Sequence, residues 1–375
     1  MPRRLSHCAL AVMLAAAAAA TLLGPVVASA GQSDDRISDT EFWRLISELS
    51  EDSGTFARQL MSNEDSAQFV MPALGTLTQP GGVYIGVGAE QNFTYLAAIR
   101  PRIAFIVDIR RDNLLQVLMY KALFELSGDR AELVSRLFSR SRPAGLGAES
   151  TVAEIFDAFE AESADAALLE QNVRAITANL VGTHAFPLST ADTAAIAAMM
   201  DTFRTAGPSG LRGYGDRSQP TFDELMAVSD VAGEQHGFLA SEAAFAYVRG
   251  LQQANLIVPV VGDFAGDRAL AGIGRYLRER EAEVTVFYVS NVERYLFEQG
   301  EHGRAFYANV EALPTAATGL FIRSVTTDIS LRLGIPIPEG PARWRTFLFS
   351  IAESVEGVTS GRVTSYRELF DVGRR

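Results

Sequence analysis

The chain mixes two hydrophobic periods. Short unbroken apolar runs at residues 83–85, 103–107, 256–261 and 284–289 read as strands buried on both faces. Between them, apolar residues recur at helical spacing over 91–99, 114–126 and 267–280, with a helical turn at 292–298. Arg100-Pro101 stops the first of these helices, since a residue before proline is pushed out of the helical region. Strands alternating with helices predict a parallel sheet covered on both sides.

Two regions interrupt that rhythm. Upstream, Ser38-Asp39-Thr40-Glu41 has capping-box spacing, and Ile37 and Phe42 are placed as a hydrophobic staple, so a helix runs through about Leu49. Further helical patterns cover 55–61 and 66–77, ahead of the Pro80-Gly81-Gly82 turn. Downstream of the second strand, residues 130–138, 151–159, 164–179 and 190–203 all read as helices. A loop at 207–220 follows, then helices at 222–228 and 241–254. Residues 319–325 read as a late strand at an antiparallel edge. Pro336, Pro338 and Pro341 lead to a last helix over 344–353.

The expected fold is α/β and Rossmann-like: a mostly parallel sheet, helices on both faces, and a helical insertion between strands two and four. In domain terms, a leader over 1–30 precedes an N-terminal helical segment over 31–80. The Rossmann-like domain covers 81–335, with its insertion at about 129–254, and a helical tail covers 336–375.

The leader is read from Arg3 and Arg4, the apolar core at 10–20, and the small residues Ala28-Ser29-Ala30 before a cleavage point. Cleavage after Ala30 makes the chain an exported protein, periplasmic or secreted; the alternative is an uncleaved membrane anchor. No later segment has the length of a membrane span. Cys8 is the only cysteine and precedes the apolar core, so it is not a lipoprotein attachment site. Its removal leaves no disulfide, thiolate metal ligand or cysteine nucleophile. Of 33 basic residues, 31 remain without the leader's two arginines, against 45 acidic ones, a balance of −14. That charge argues against nucleic-acid binding and adhesion to anionic lipid. Lys121 is the sole lysine.

The chemistry concentrates in residues 81–112. Gly86 and Gly88 let the backbone approach a ligand between strand and helix, and the helix that follows points its N–H groups at it. Asp108 ends the second strand 20 residues after Gly88, where an acid accepts ribose hydroxyls. Glu90, Gln91 and Asn92 crowd the helix start, either as caps or as ligand contacts. Arg110 and Arg111 either clamp a phosphate or carboxylate or pair with surface acids. Asp263 is open to two roles, general base or loop acid. Ser290, Asn291 and Glu293 end the 284–289 strand at the same sheet rim. His184, His236 and His302 lack ligand spacing, so no metal site is expected. His236 is the histidine best suited to a functional role.

The glycine turn reads Gly86-Val87-Gly88-Ala89-Glu90, with Gln91 where a dinucleotide motif has its third glycine. It resembles motif one of class I S-adenosylmethionine-dependent methyltransferases. The resemblance implies that Gly86 and Gly88 line the methionine part of the cofactor S-adenosylmethionine and that Asp108 holds its ribose; Glu90 and Arg110 join them as expected cofactor contacts. It places Gly262-Asp263-Phe264 after the fourth strand, where such enzymes often carry substrate-facing residues; Asp263 or Asn291 is then expected to orient a small-molecule acceptor. Tyr84-Ile85 stands where such enzymes carry an acid before the glycines. The segments SNED (62–65), GVGAEQNFTY (86–95), DIRRDN (108–113), MYKALFE (119–125), GDFAG (262–266) and SNVERYLF (290–297) also resemble a family of uncharacterised bacterial proteins. That family implies the fold without a reaction. The alternative function is a non-catalytic binding or scaffold protein that keeps the fold.

Overall fold

A computed structural model describes residues 36–336 and 342–375, apart from residues 58 and 89. The expected leader at 1–30 lies outside the described residues, as do Pro338 and Pro341.

Among the described residues, six strands form one sheet in the order β3-β2-β1-β4-β5-β6. These are β1 (Val83–Gly86), β2 (Ile103–Asp108), β3 (Ile257–Val261), β4 (Val284–Ser290), β5 (Thr315–Thr326) and β6 (Trp344–Ser350). The first five run parallel and β6 pairs antiparallel to β5. The apolar runs behave as their composition requires: every residue of β1, β2 and β3 is buried. Pro259 lies within β3, an outermost strand, where a missing N–H is tolerated. The segment after α1 (Asp39–Leu49) covers that edge, with Glu51 N–H donating to the Val261 carbonyl at 2.8 Å.

The sheet is flanked by α2 (Met71–Leu77), α3 (Gln91–Ile99) and α4 (Arg111–Leu126). The insertion comprises α5 (Arg130–Phe138), α6 (Val152–Glu160), α7 (Ala166–Thr177), α8 (Thr190–Ala206), α9 (Phe222–Ala227) and α10 (Glu242–Gln253). Helix α4 is buried from Asn113 through Phe124, because β3 covers one side and α5, α7, α8 and α10 cover others. The chain closes with α11 (Ala269–Arg278), α12 (Val292–Glu298), α13 (His302–Glu311), α14 (Thr327–Leu333) and α15 (Ile351–Thr359).

Four expectations are corrected. Residues 55–61 contain no helix in their described part; they form a loop. The strand after the insertion is third in chain order and outermost in the sheet, so Gly262-Asp263-Phe264 follows β3 rather than a fourth strand. The strand at 319–325 is part of β5 and is internal and parallel to β4. The antiparallel edge is β6, within the expected last helix; the helix α15 starts only at Ile351. The run Trp344-Arg-Thr-Phe-Leu-Phe-Ser350 is aromatic and β-branched, and it buries all seven residues against neighbours that its local pattern does not reveal. At α1, Ser38 caps the helix by accepting from Glu41 N–H at 3.2 Å. The Glu41 carboxylate instead binds Arg44, so the capping box is half made.

Candidate functional site

Strand order reverses at β1, which has β2 on one side and β4 on the other. Ligands of such sheets bind outside the carboxyl ends at this point. A cleft of about 310 Å³ opens there. Its wall includes Val87, Gly88 and Gln91 after β1, Asp108 to Arg110 after β2, Gly262 to Phe264 after β3, and Ser290 to Val292 after β4. The loop carrying Phe56 and Ser62 to Glu64 contributes another side, and Tyr214 reaches in from the insertion.

Five of the seven expected site residues meet at this cleft: Gly88, Asp108, Arg110, Asp263 and Asn291. Gly86 and Glu90 are not among the lining residues. A Cβ at Gly86 would stand 2.0 Å from Asn92 Oδ1 and 2.6 Å from Tyr84 Cε1. The glycine therefore makes room for the Tyr84–Asn92 hydrogen bond of 2.8 Å. Gly88 has φ +80° and nothing within 4 Å of a Cβ position, so it is the residue that opens the turn.

The polar residues at the start of α3 do not cap it. Glu90 is buried and accepts from Ser62 N–H at 2.6 Å, while Oε2 has no partner. Burial pushes its carboxyl up to about 7. Asn92 is buried and donates to the Val87 carbonyl at 3.0 Å, holding the glycine turn. Gln91 is buried, lines the cleft and leaves Nε2 without a protein partner.

Both arginines after β2 are committed to acids. Arg110 Nε and Nη2 donate to the two oxygens of Asp108 at 3.0 Å each, and Arg110 N–H adds a bond of 2.9 Å. Arg111 grips Asp192 of α8 at 2.8 and 2.9 Å. Asp263 accepts from Ala265 N–H at 2.9 Å. Asn291 stands at the N-cap of α12 without capping it. Glu293 turns away from the rim: it is buried against Arg323 Nε at 2.6 Å and accepts from Tyr307 at 2.5 Å. His236 pairs with Asp230 at 2.9 Å and is not among the cleft's lining residues.

Glu64 is the acid the residue pattern did not single out. It is 3% exposed and lines the cleft. Ser324 donates to its Oε2 at 2.5 Å, and Ser290 donates to Oε1. Burial raises its carboxyl above the ordinary glutamate range, and these hydroxyls only partly offset that. Ser290, at the end of β4, holds a left-handed backbone with φ +50°. Such strain concentrates at functional sites. The short polar stretch Ser62 to Asp65 gave no periodic signal of burial; only the surrounding strands bury it.

Aromatic rings form much of the remaining wall. Phe56 and Tyr295 meet edge-to-face with centroids 5.3 Å apart. Tyr214, Tyr288, Phe264 and Trp344 line the cleft with them. Tyr214 has φ +55° and is 46% exposed, an unusual presentation for a large ring.

A family model described as "Domain of unknown function (DUF7790)" matches residues 60–352, a span that contains the sheet, the insertion and nearly all of the cleft. Comparison with curated proteins finds no match.

Proposed function

The chain belongs to the DUF7790 family, a domain of unknown function, and from the geometry of its cleft we propose that it binds S-adenosylmethionine and serves methyl transfer to a small molecule. The observation that carries this reading is the convergence of Gly88, Asp108 and the unpartnered Gln91 amide on one cleft at the strand-order reversal. The residues fit the group. Gly88 leaves open space for a close backbone approach. Asp108 Oδ2 receives a single protein donor, which leaves it able to accept from a ribose hydroxyl. Gln91 Nε2 is a buried donor in need of an acceptor.

When bound, the sulfonium supplies an electrophilic methyl group. The protein's part is to orient and desolvate. Arg110 holds the Asp108 carboxylate in one rotamer. Asp263 and Asn291 are placed on the rim to bind an acceptor. The aromatic wall excludes water from its apolar faces.

The test is calorimetric titration of the purified protein with S-adenosylhomocysteine, beside Asp108→Ala. Micromolar binding that is lost in the variant supports the reading; no heat from a folded sample removes it.

A second reading is an exported binding or scaffold protein without methyl transfer. The three hydrogen bonds from Arg110 favour it, because they already engage most of the Asp108 carboxylate. Export favours it too, since the cofactor is made in the cytoplasm. We propose export with removal of residues 1–30; N-terminal sequencing of the processed protein checks it.

A further inference from the structure

The charges lining the cleft do not balance. Its ionisable carboxylate and guanidinium groups are Glu64, Asp108, Arg110 and Asp263. Arg110 is spent on Asp108, to which it is paired at 3.0 Å. Among the described residues no cation pairs with Glu64; its hydrogen-bond donors are the neutral hydroxyls of Ser290 and Ser324. Among the described residues the Asp263 carboxylate receives a backbone N–H from Ala265 and no cation. Among the described residues the cleft therefore holds two acids without a counter-cation, in a chain of net charge −12.

The rest of the wall suits a positive charge that carries apolar substituents. Phe56, Tyr214, Tyr288, Tyr295 and Trp344 surround the space with π-systems, whose faces attract cations. Tyr214 and Tyr295 line the same cleft as Glu64, Asp108 and Arg110, so the rings and the charged groups share one space. A buried carboxyl without a cation is costly, and a ligand that brings one recovers that cost.

We infer that the cleft selects small organic cations, with a sulfonium or alkylated ammonium centre seated against Glu64 inside the aromatic wall. The inference rests on the reading of the cleft as the ligand site and adds the charge of what it takes. It predicts that a charged ligand binds better than its neutral isostere, whether or not the ligand carries an adenosyl group.

The experiment compares two charged and neutral pairs by calorimetry on the purified protein: S-adenosylmethionine with S-adenosylhomocysteine, and choline with 3,3-dimethylbutan-1-ol. Each pair is repeated with Glu64→Gln, which keeps the size and an acceptor oxygen, and with Tyr295→Phe and Phe56→Ala at the half-exposed mouth. Thermal melts confirm that each variant is folded. The expected result is a preference of about tenfold for the charged member of at least one pair, lost in Glu64→Gln and reduced in Phe56→Ala. Tyr295→Phe keeps a ring and should keep the preference. A choline preference without binding of either adenosyl ligand leaves this inference standing and removes the cofactor reading. Equal affinity within both pairs, no binding of any of the four, or a preference that survives Glu64→Gln overturns it.

Discussion

Arg110 and Asp108, two residues apart, close a ring at the end of β2, with Nε on Oδ1 and Nη2 on Oδ2 at 3.0 Å each. The pair fixes the carboxylate at the rim before any ligand arrives. Asp108→Asn keeps the shape but leaves the guanidinium without its counter-charge. It should weaken an adenosyl ligand by at least about tenfold. Arg110→Ala keeps the carboxylate and frees its rotamer, so its loss should be smaller. Calorimetry on both variants, with melting curves beside them, reads the difference.

Gly86 and Gly88 look alike in sequence and should fail differently. An added methyl at Gly86 collides with Asn92 and Tyr84, so Gly86→Ala should destabilise the fold by about 1–3 kcal/mol. Gly88→Ala meets no neighbour and suffers only from its positive φ, a cost of roughly 1 kcal/mol. Its larger effect should be on ligand affinity. Urea denaturation separates the first cost from the second.

Glu90 is a buried carboxyl with one unpaired oxygen. Its proton is held more tightly in the folded chain than in the unfolded one, since burial lifts it from 4.5 to about 7. The fold must therefore lose stability as pH rises from about 4.5 to about 7, then level off. Glu90→Gln removes the charge and keeps an acceptor for Ser62. It should stabilise the protein at pH 8 by up to about 3 kcal/mol and change little at pH 4.5. Denaturation midpoints across that range check the sign.

His184 bridges Asp39 of α1 and Glu125 of α4, at 2.7 Å to each carboxylate. The hydrogen bond to Glu125 raises His184, outweighing burial. Burial works to raise Glu125, yet His184, Lys121 and Asn179 together hold it down at about 2. The histidine's contribution is present below its unfolded value of 6.5 and fades as pH rises through its raised one. The glutamate's is present above 4.5 and fades toward pH 2. The network is thus strongest between about pH 4.5 and 6.5. His184→Asn should cost roughly 2 kcal/mol at pH 5.5 and less at pH 9. Guanidinium titrations at the two pH values measure it.

Much of the fold was readable because its strands are unbroken apolar runs set between helices. The residues from Val83 to Asp108 carry strand, glycine turn, helix and terminal acid in one stretch, and these landed as expected. Trp344 to Ser350 misled because a short aromatic run suits a helix or a strand until a partner is known; β5 supplied the partner. The position of β3 depended on counting strands across a long insertion. At the site, Gly88, Asp108 and Asp263 were legible from their places after strands. Glu64 was not, since a carboxylate in a short polar loop reads as solvated until Ser290 and Ser324, far along the chain, close over it. Glu293 erred the other way: its burial with Arg323 and Tyr307 is made by β5 and α13.

The central claim is that a small-molecule ligand sits at the carboxyl ends of β1 to β4. Hydrogen-exchange mass spectrometry of the purified protein, with and without S-adenosylmethionine, addresses it most directly. The account predicts protection confined to the segments that line the cleft: Phe56 and Ser62 to Glu64, those around Gly88 and Gln91, Asp108 to Arg110, Tyr214, Gly262 to Phe264, Ser290 to Tyr295, and Trp344. Protection elsewhere, or unchanged exchange in those segments at saturating ligand, would contradict it.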